Sequence, residues 1–169
     1  FTGITPALGP SLTAICEDAC KVAKAKGVKV SCDLNYRGKL WTREEARAAM
    51  TELCQYVDVC ISNEEDAKDI FGIEAADTDI RGGKLNTKGY QSVAKQLADR
   101  FGFEKVAITL RTSLSASDND WAGMLYDGNS CYFSRTHHLR IVDRVGGGDS
   151  FGGGLIYALL RGKSEQESI

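Results

Sequence analysis

Val142-Asp143-Arg144-Val145-Gly146-Gly147-Gly148-Asp149-Ser150-Phe151-Gly152-Gly153-Gly154-Leu155 decides the reading of this chain, because a glycine triplet ending in aspartate stands where a strand gives way to a helix. Upstream, residues 139–142 read as a strand. Downstream, Phe151, Leu155, Ile156, Leu159 and Leu160 recur at helical spacing until Gly162 closes the run. Three successive residues without a Cβ let backbone N–H groups converge on an anion, and the following helix adds the positive end of its dipole. That geometry suits a phosphate. Asp149 is the odd member, since a carboxylate there repels such a ligand unless it has chemical work, and accepting a proton from an attacking hydroxyl is such work. The plainer alternative is a turn that only joins a strand to a close-packed helix. The strand-to-helix position favours the anion site.

Three further stretches place polar groups at strand ends. Val28-Lys29-Val30-Ser31 reads as a short buried strand, and Cys32-Asp33-Leu34-Asn35-Tyr36-Arg37-Gly38-Lys39-Leu40-Trp41 follows it. In open parallel α/β sheets ligands bind at that edge, so Asn35, Tyr36 and Arg37 are candidates to donate to ligand hydroxyls or, through the Arg37 fork, to a carboxylate. A surface turn with a solvated arginine is the alternative. Val57-Asp58-Val59-Cys60-Ile61 pairs a strand with an acidic helix start, where Ser62 or Asn63 caps free N–H groups and the acids complement the dipole. Val106-Ala107-Ile108-Thr109-Leu110 is a β-rich run that leads into Arg111-Thr112-Ser113-Leu114. Trp121 to Tyr126 and Cys131 to Phe133 flank the turn Asp127-Gly128-Asn129-Ser130 as a hairpin, whose aromatics read as packing residues rather than a base-stacking platform.

In these motifs the chain resembles the ribokinase-like (PfkB) carbohydrate kinases. DRVGGGDSFGGG, residues 143–154, matches their second signature, approximately DTxGAGDxFxxG, with Arg144 where the family usually has threonine. The resemblance implies an anion hole at Gly146, Gly147 and Gly148 for the transferred phosphoryl group, and Asp149 as the base that activates the sugar hydroxyl. The DxNxR pattern at residues 33–37, followed by Leu40-Trp41, resembles that of the family's 2-keto-3-deoxygluconate kinases and implies that Arg37 grips an acid sugar while Asn35 and Tyr36 shape the pocket. The family's NxxE motif appears as Asn63-Glu64-Glu65-Asp66, which implies Asn63 and Asp66 in the magnesium and phosphate environment, acting through water rather than as direct metal ligands. Thr109 and Arg111 fall on the nucleotide side, with Arg111 and Leu114 where relatives carry glycines of a TLG segment. ATP and Mg2+ are the implied cofactors, with a monovalent cation as a further candidate.

Composition agrees with a cytoplasmic α/β domain: mixed charge with a formal net of −2 and only two prolines. No basic run points to nucleic acid, and no apolar stretch reaches transmembrane length. The six cysteines, Cys16, Cys20, Cys32, Cys54, Cys60 and Cys131, form no CxxC pair and sit in apolar contexts, which favours reduced core thiols. His137 and His138 are adjacent and read as structural or solvent-facing.

The element order predicted is a strand at 1–4, a helix over 11–26, a strand at 28–31, a helix over 43–56, a strand from Val57, a helix from Glu64, a Gly-rich loop over 81–88, a helix over 90–101 and a strand from Val106. Such alternation predicts parallel βαβ units in one structural unit over residues 1–169. The resemblance implies a three-layer ribokinase-like sheet with helices on both faces, here a partial carbohydrate kinase domain without the family's N-terminal region and lid. Both ends look cut, Ser164-Glu165-Gln166-Glu167 resembles a capping box, and an exposed sheet edge makes self-association an expectation. The leading expectation is a fragment of an ATP-dependent kinase of 2-keto-3-deoxygluconate; the alternatives are a kinase of a neutral sugar such as fructose and a non-catalytic anion- or nucleotide-binding fragment. A dinucleotide oxidoreductase is disfavoured, because no strand with a ribose-binding acid follows the glycine turn.

Overall fold

Alternation of apolar side chains along the strands sends one set to each face of a sheet, and helices cover both faces. The computed structural model describes residues 1–74, 87–143 and 145–169. Arg144 and most of the Gly-rich stretch at 81–88 lie outside the described residues. In chain order the elements are α1 (Ile4–Ala7), α2 (Pro10–Ala25), β1 (Ser31–Asp33), α3 (Arg43–Cys54), β2 (Val59–Ser62), α4 (Glu64–Phe71), α5 (Thr87–Phe101), β3 (Lys105–Ser113), β4 (Asp118–Tyr126), β5 (Cys131–Phe133), β6 (His137–Arg140), α6 (Gly147–Leu160) and α7 (Glu165–Ser168).

The strands run in the order β1-β2-β3-β4-β5. β1, β2 and β3 are parallel, as the βαβ pattern predicts, and β4 turns back antiparallel to β3 with Arg111 opposite Trp121. The far edge of β4 is shared: Met124 to Tyr126 pair with β5, and Asp118 to Trp121 pair with β6. On one face Cys60, Val106, Ile108 and Met124 pack against Met50, Leu53, Ile70, Val93 and Leu97 from α3, α4 and α5. Ile61, Ala107 and Leu125 face the other way and meet Leu155, Phe151, Leu159 and Ile169 from α6 and the C-terminal end. The three layers implied by the resemblance are therefore present.

All six cysteines are free, and five are buried among the apolar core residues as small hydrophobes. Burial holds the Cys54 thiol up at about 12 and pushes Cys32 and Cys60 well above the ordinary thiol range, so these groups stay protonated and inert. The capping box expected at Ser164 and Glu167 is present on α7, and Thr42 and Glu45 form a further one on α3.

Three strand predictions shift. Thr2 makes a single parallel bridge to Asp33, and Ile4 already opens α1, so the strand expected at 1–4 shrinks to that bridge. The strand expected at 28–31 begins its pairing only at Ser31, because the Asp58 carboxylate accepts the Val30 N–H at 2.7 Å and closes the lead-in. The strand expected at 139–142 lies earlier, at 137–140, and Val142 is fully exposed. That strand is held by its ladder to β4 rather than by burial, so apolar pattern could not locate it.

Candidate active site

The parallel strands all end toward one edge, and the N-terminus of α6 is brought to the same edge. Gly146 caps α6 with φ 82° and ψ 4°, a left-handed conformation that glycine adopts without strain, and it offers no side chain to the helix. The Ser150 N–H is bonded to the Gly146 carbonyl at 2.8 Å, one turn back. The N–H groups of Gly147, Gly148 and Asp149 precede that bond, so they are the helix's orphan donors and suit an anion.

Opposite them stands the loop after β1. Asn35 takes φ 39°, unusual for a residue with a Cβ, and its Nδ2 donates to Thr2 Oγ1 at 3.1 Å. Gly3 makes this possible: its N–H donates to the Asp33 carbonyl at 2.8 Å, and a Cβ on Gly3 would lie 2.0 Å from the Leu34 carbonyl oxygen. Beyond the bend the Arg37 guanidinium is exposed, with Nη1 donating to the Tyr36 carbonyl at 2.8 Å.

The third wall is the β2–α4 junction. Asn63 caps α4, its side chain accepting the Asp66 N–H at 2.7 Å. Asp66 is buried, and its Oδ1 accepts the Tyr36 N–H at 3.1 Å, which ties the α4 start to the Arg37 loop. Together these elements enclose a cleft of ≈ 790 Å³. Its wall takes Asp33, Asn35 and Arg37 from the first loop and Ile61, Ser62, Asn63, Glu65 and Asp66 from the second. Thr109, Arg111, Ser113 and Trp121 form its sheet floor, and Gly147, Gly148 and Ser150 come from α6.

Most of the residues singled out in the sequence thus converge. Three are placed differently. Gly146 stands behind the wall as the cap. Asp149 is an exposed residue between Gly148 and Ser150, and its charge reaches the Asp33 carboxyl. Tyr36 turns its hydroxyl to the Trp41 carbonyl at 3.3 Å and packs against the core, so what it offers the site is its backbone N–H.

Among the wall residues not singled out as site candidates, Asp33 and Trp121 stand out. Asp33 opens the DxNxR pattern, and its place at the end of β1 was the available signal. Burial, with the Asp149 charge adding to it and the Asn35 N–H opposing it, lifts the Asp33 carboxyl to about 6. Burial likewise lifts Asp66 to about 7, against the hydrogen bond from Tyr36. Trp121 was read as packing; its ring lies beside Gly147, 3.5 Å from where a Cβ would stand. Only the register that sets it across from Arg111 shows this.

Among the described residues no three His, Cys, Asp or Glu side chains converge on a metal position. Separated carboxylates such as Asp33 and Asp66, on one cleft with an anion-binding turn, nevertheless fit magnesium held through its own water shell, the mode in which that ion usually meets protein carboxylates. Among those residues, too, no helix is long and apolar enough to cross a membrane.

The chain is similar to known proteins over almost its whole length. It is 28% identical over 168 residues to the 2-dehydro-3-deoxygalactonokinase of Haloferax volcanii, covering 99% of this chain and 46% of that protein. The crystal structure of 2-dehydro-3-deoxygluconokinase from Thermotoga maritima superposes with a TM-score of 0.92 at 47% identity, over 99% of this chain and 50% of that one. A PfkB family carbohydrate kinase from Listeria grayi gives 0.85 at 32% identity, over 99% of this chain and 49% of that one. This chain therefore spans about half the length of the relatives it matches. The family model for pfkB family carbohydrate kinases matches residues 6–169, signature turn and cleft included, and the chain belongs to that family.

Proposed function

We propose that this chain supplies the acceptor-side and phosphoryl-transfer walls of an ATP-dependent kinase acting on a hydroxyl of 2-keto-3-deoxygluconate or a close acid sugar. The observation that carries the reading is the placement of Arg37 and the α6 N-terminus on one cleft. An arginine fork suits a sugar carboxylate, and the turn suits a phosphoryl group. The relatives named as 2-dehydro-3-deoxygluconokinase and 2-dehydro-3-deoxygalactonokinase act on such acids, which agrees with that pairing of charges.

Arg37 holds the carboxylate and Asn35, fixed by Thr2, orients the sugar. Asp149 accepts the proton of the attacking hydroxyl, and the Gly147 and Gly148 N–H groups stabilise charge on the phosphoryl oxygens. Arg111 and Thr109, on the floor beside the turn, face the nucleotide phosphates. Asp33 and Asp66 would hold magnesium through water, with Asn63 fixing the α4 start, and the ion would supply neutralisation of phosphate charge.

The test is coupled ATP turnover by a parent-length protein containing this chain, offered the keto acid, fructose, glucose and ribose. Turnover restricted to the keto acid is expected. Asp149→Asn lowers kcat by about 100-fold or more, while Arg37→Ala raises KM for the keto acid by about 10- to 100-fold, in line with a lost charge-assisted pair. A neutral sugar preferred with unchanged KM in Arg37→Ala would discard the substrate, and full turnover by Asp149→Asn would discard the base.

A further inference from the structure

The glycine turn must hold its amides at a fixed height over the cleft, yet it has little apolar anchorage of its own. Val142 and Val145, which flank it, are 100% and 89% exposed. Gly147, Gly148, Asp149 and Ser150 are exposed as well. Asp143 Oδ1 accepts the Val145 N–H at 2.9 Å, a bond internal to the loop. What lies under Gly147 is the indole of Trp121: Cη2 and Cζ3 stand 3.5 and 3.9 Å from the position a Gly147 Cβ would take. Under Gly148 the nearest group is Asp33 Oδ2, at 3.9 Å on the same measure.

Trp121 is itself held firmly. It sits in β4 between Arg111 of β3 and His137 of β6, so its backbone is paired on both sides. Its ring is the large flat member of the cleft floor. We propose that Trp121 is a positioning residue for phosphoryl transfer, its indole forming the support on which the Gly146–Gly148 turn is set. An apolar support has a chemical advantage here. A carboxylate or amide oxygen close under Gly147 would accept its N–H and take it from the phosphoryl oxygens, whereas the ring carbons of Trp121 fix the turn there and leave that hydrogen free. This rests on the kinase reading above for its catalytic consequence, but not for the contact itself.

The test compares Trp121→Ala, Trp121→Leu and Trp121→Phe. In the parent-length enzyme a turn displaced by about 1 Å lowers kcat by about 100-fold. Trp121→Ala and Trp121→Leu are expected to show that loss with KM for the keto acid within about threefold, since Arg37 is untouched, and Trp121→Phe recovers about a tenth of wild-type kcat or more. In parallel, amide hydrogen exchange at Ser150, whose N–H is bonded to the Gly146 carbonyl at 2.8 Å and so reports the seating of the turn, is measured on this chain itself, where no turnover is needed. Faster exchange in the Ala and Leu variants, reversed in Phe, supports the role; exchange equal to wild type in all three overturns it. Unchanged kcat in a folded Trp121→Leu enzyme also overturns it, as does a rise in KM at constant kcat, which would make the ring a substrate contact. Wild-type silence toward every sugar would sink the kinase reading while leaving the exchange result to decide the support.

Discussion

Asp66→Asn should make the ligand-free protein more stable at alkaline pH while impairing its chemistry. Asp66 is 6% exposed, and burial holds its carboxyl at about 7 instead of 3.8. The folded state therefore binds this proton more tightly than the unfolded chain does. The resulting stability is fully present below pH 3.8, declines as pH rises toward 7 and is gone above it. At pH 8 the buried charge costs at most about 4 kcal/mol by linkage from those two values. Asparagine keeps the oxygen that accepts the Tyr36 N–H but adds a buried NH2, whose desolvation offsets part of the gain and leaves about 2 kcal/mol. For a chain of this size that raises the melting temperature by about 4–8 °C. Urea unfolding at pH 5 and pH 8 measures it: the variant gains at pH 8 and shows little gain at pH 5. Equal destabilisation at both values would mean that Asp66 is a structural acceptor whose charge is harmless, and the electrostatic argument would fail. Stability gained at the expense of turnover marks a group retained for chemistry.

Asp58 should behave in the opposite sense. Burial pushes its carboxyl up, but the Lys24 hydrogen bond at 2.7 Å, the Val30 N–H and the charge of Lys29 outweigh burial and hold it below the usual range. Its contribution is thus present above pH 3.8 and is lost as pH falls through the lowered folded value. Asp58→Ala removes a charge-assisted bond and strands the Val30 N–H, costing about 3 kcal/mol near neutrality, a deficit that urea midpoints should show shrinking below about pH 4. Gly3→Ala puts a Cβ 2.0 Å from the Leu34 carbonyl oxygen, and backbone cannot yield as a flexible side chain can. A loss of about 2–3 kcal/mol follows, with a higher KM for the sugar because the Asn35 bend loses its brace; a variant as stable as wild type would show that the N-terminal segment carries no load.

How much of this was legible depended on the range of the interaction. The α4 cap, the capping box of α7 and the Asp127–Ser130 turn are local devices, set by side chains reaching two or three residues along the chain, and all three were read from sequence. The glycine turn is local in the same sense, since Gly146 must take a positive φ and its neighbours leave their N–H groups free. β1 and β6 were displaced because their bounds are fixed by partners far along the chain. Asp58, 28 residues from Val30, closes one, and the β4 ladder holds the other with every residue exposed.

The candidate site shows the same division more sharply. Asn35, Arg37 and Asn63 could be singled out because a polar cluster at the end of an apolar run is visible in one dimension. Asp33 was adjacent to those residues, yet its raised carboxyl comes first from burial and then from the charge of Asp149, both set by elements far away in sequence. Trp121 carried no local sign at all. Nothing near it distinguishes an indole in the core from one lying beside the glycine turn, and the distinction appears only when β4 is registered against β3 and α6 is laid over the sheet. A motif can therefore announce which atoms are candidates for the chemistry, because it is a statement about local backbone. What holds those atoms in place is drawn from other elements, so it must be read from register and packing.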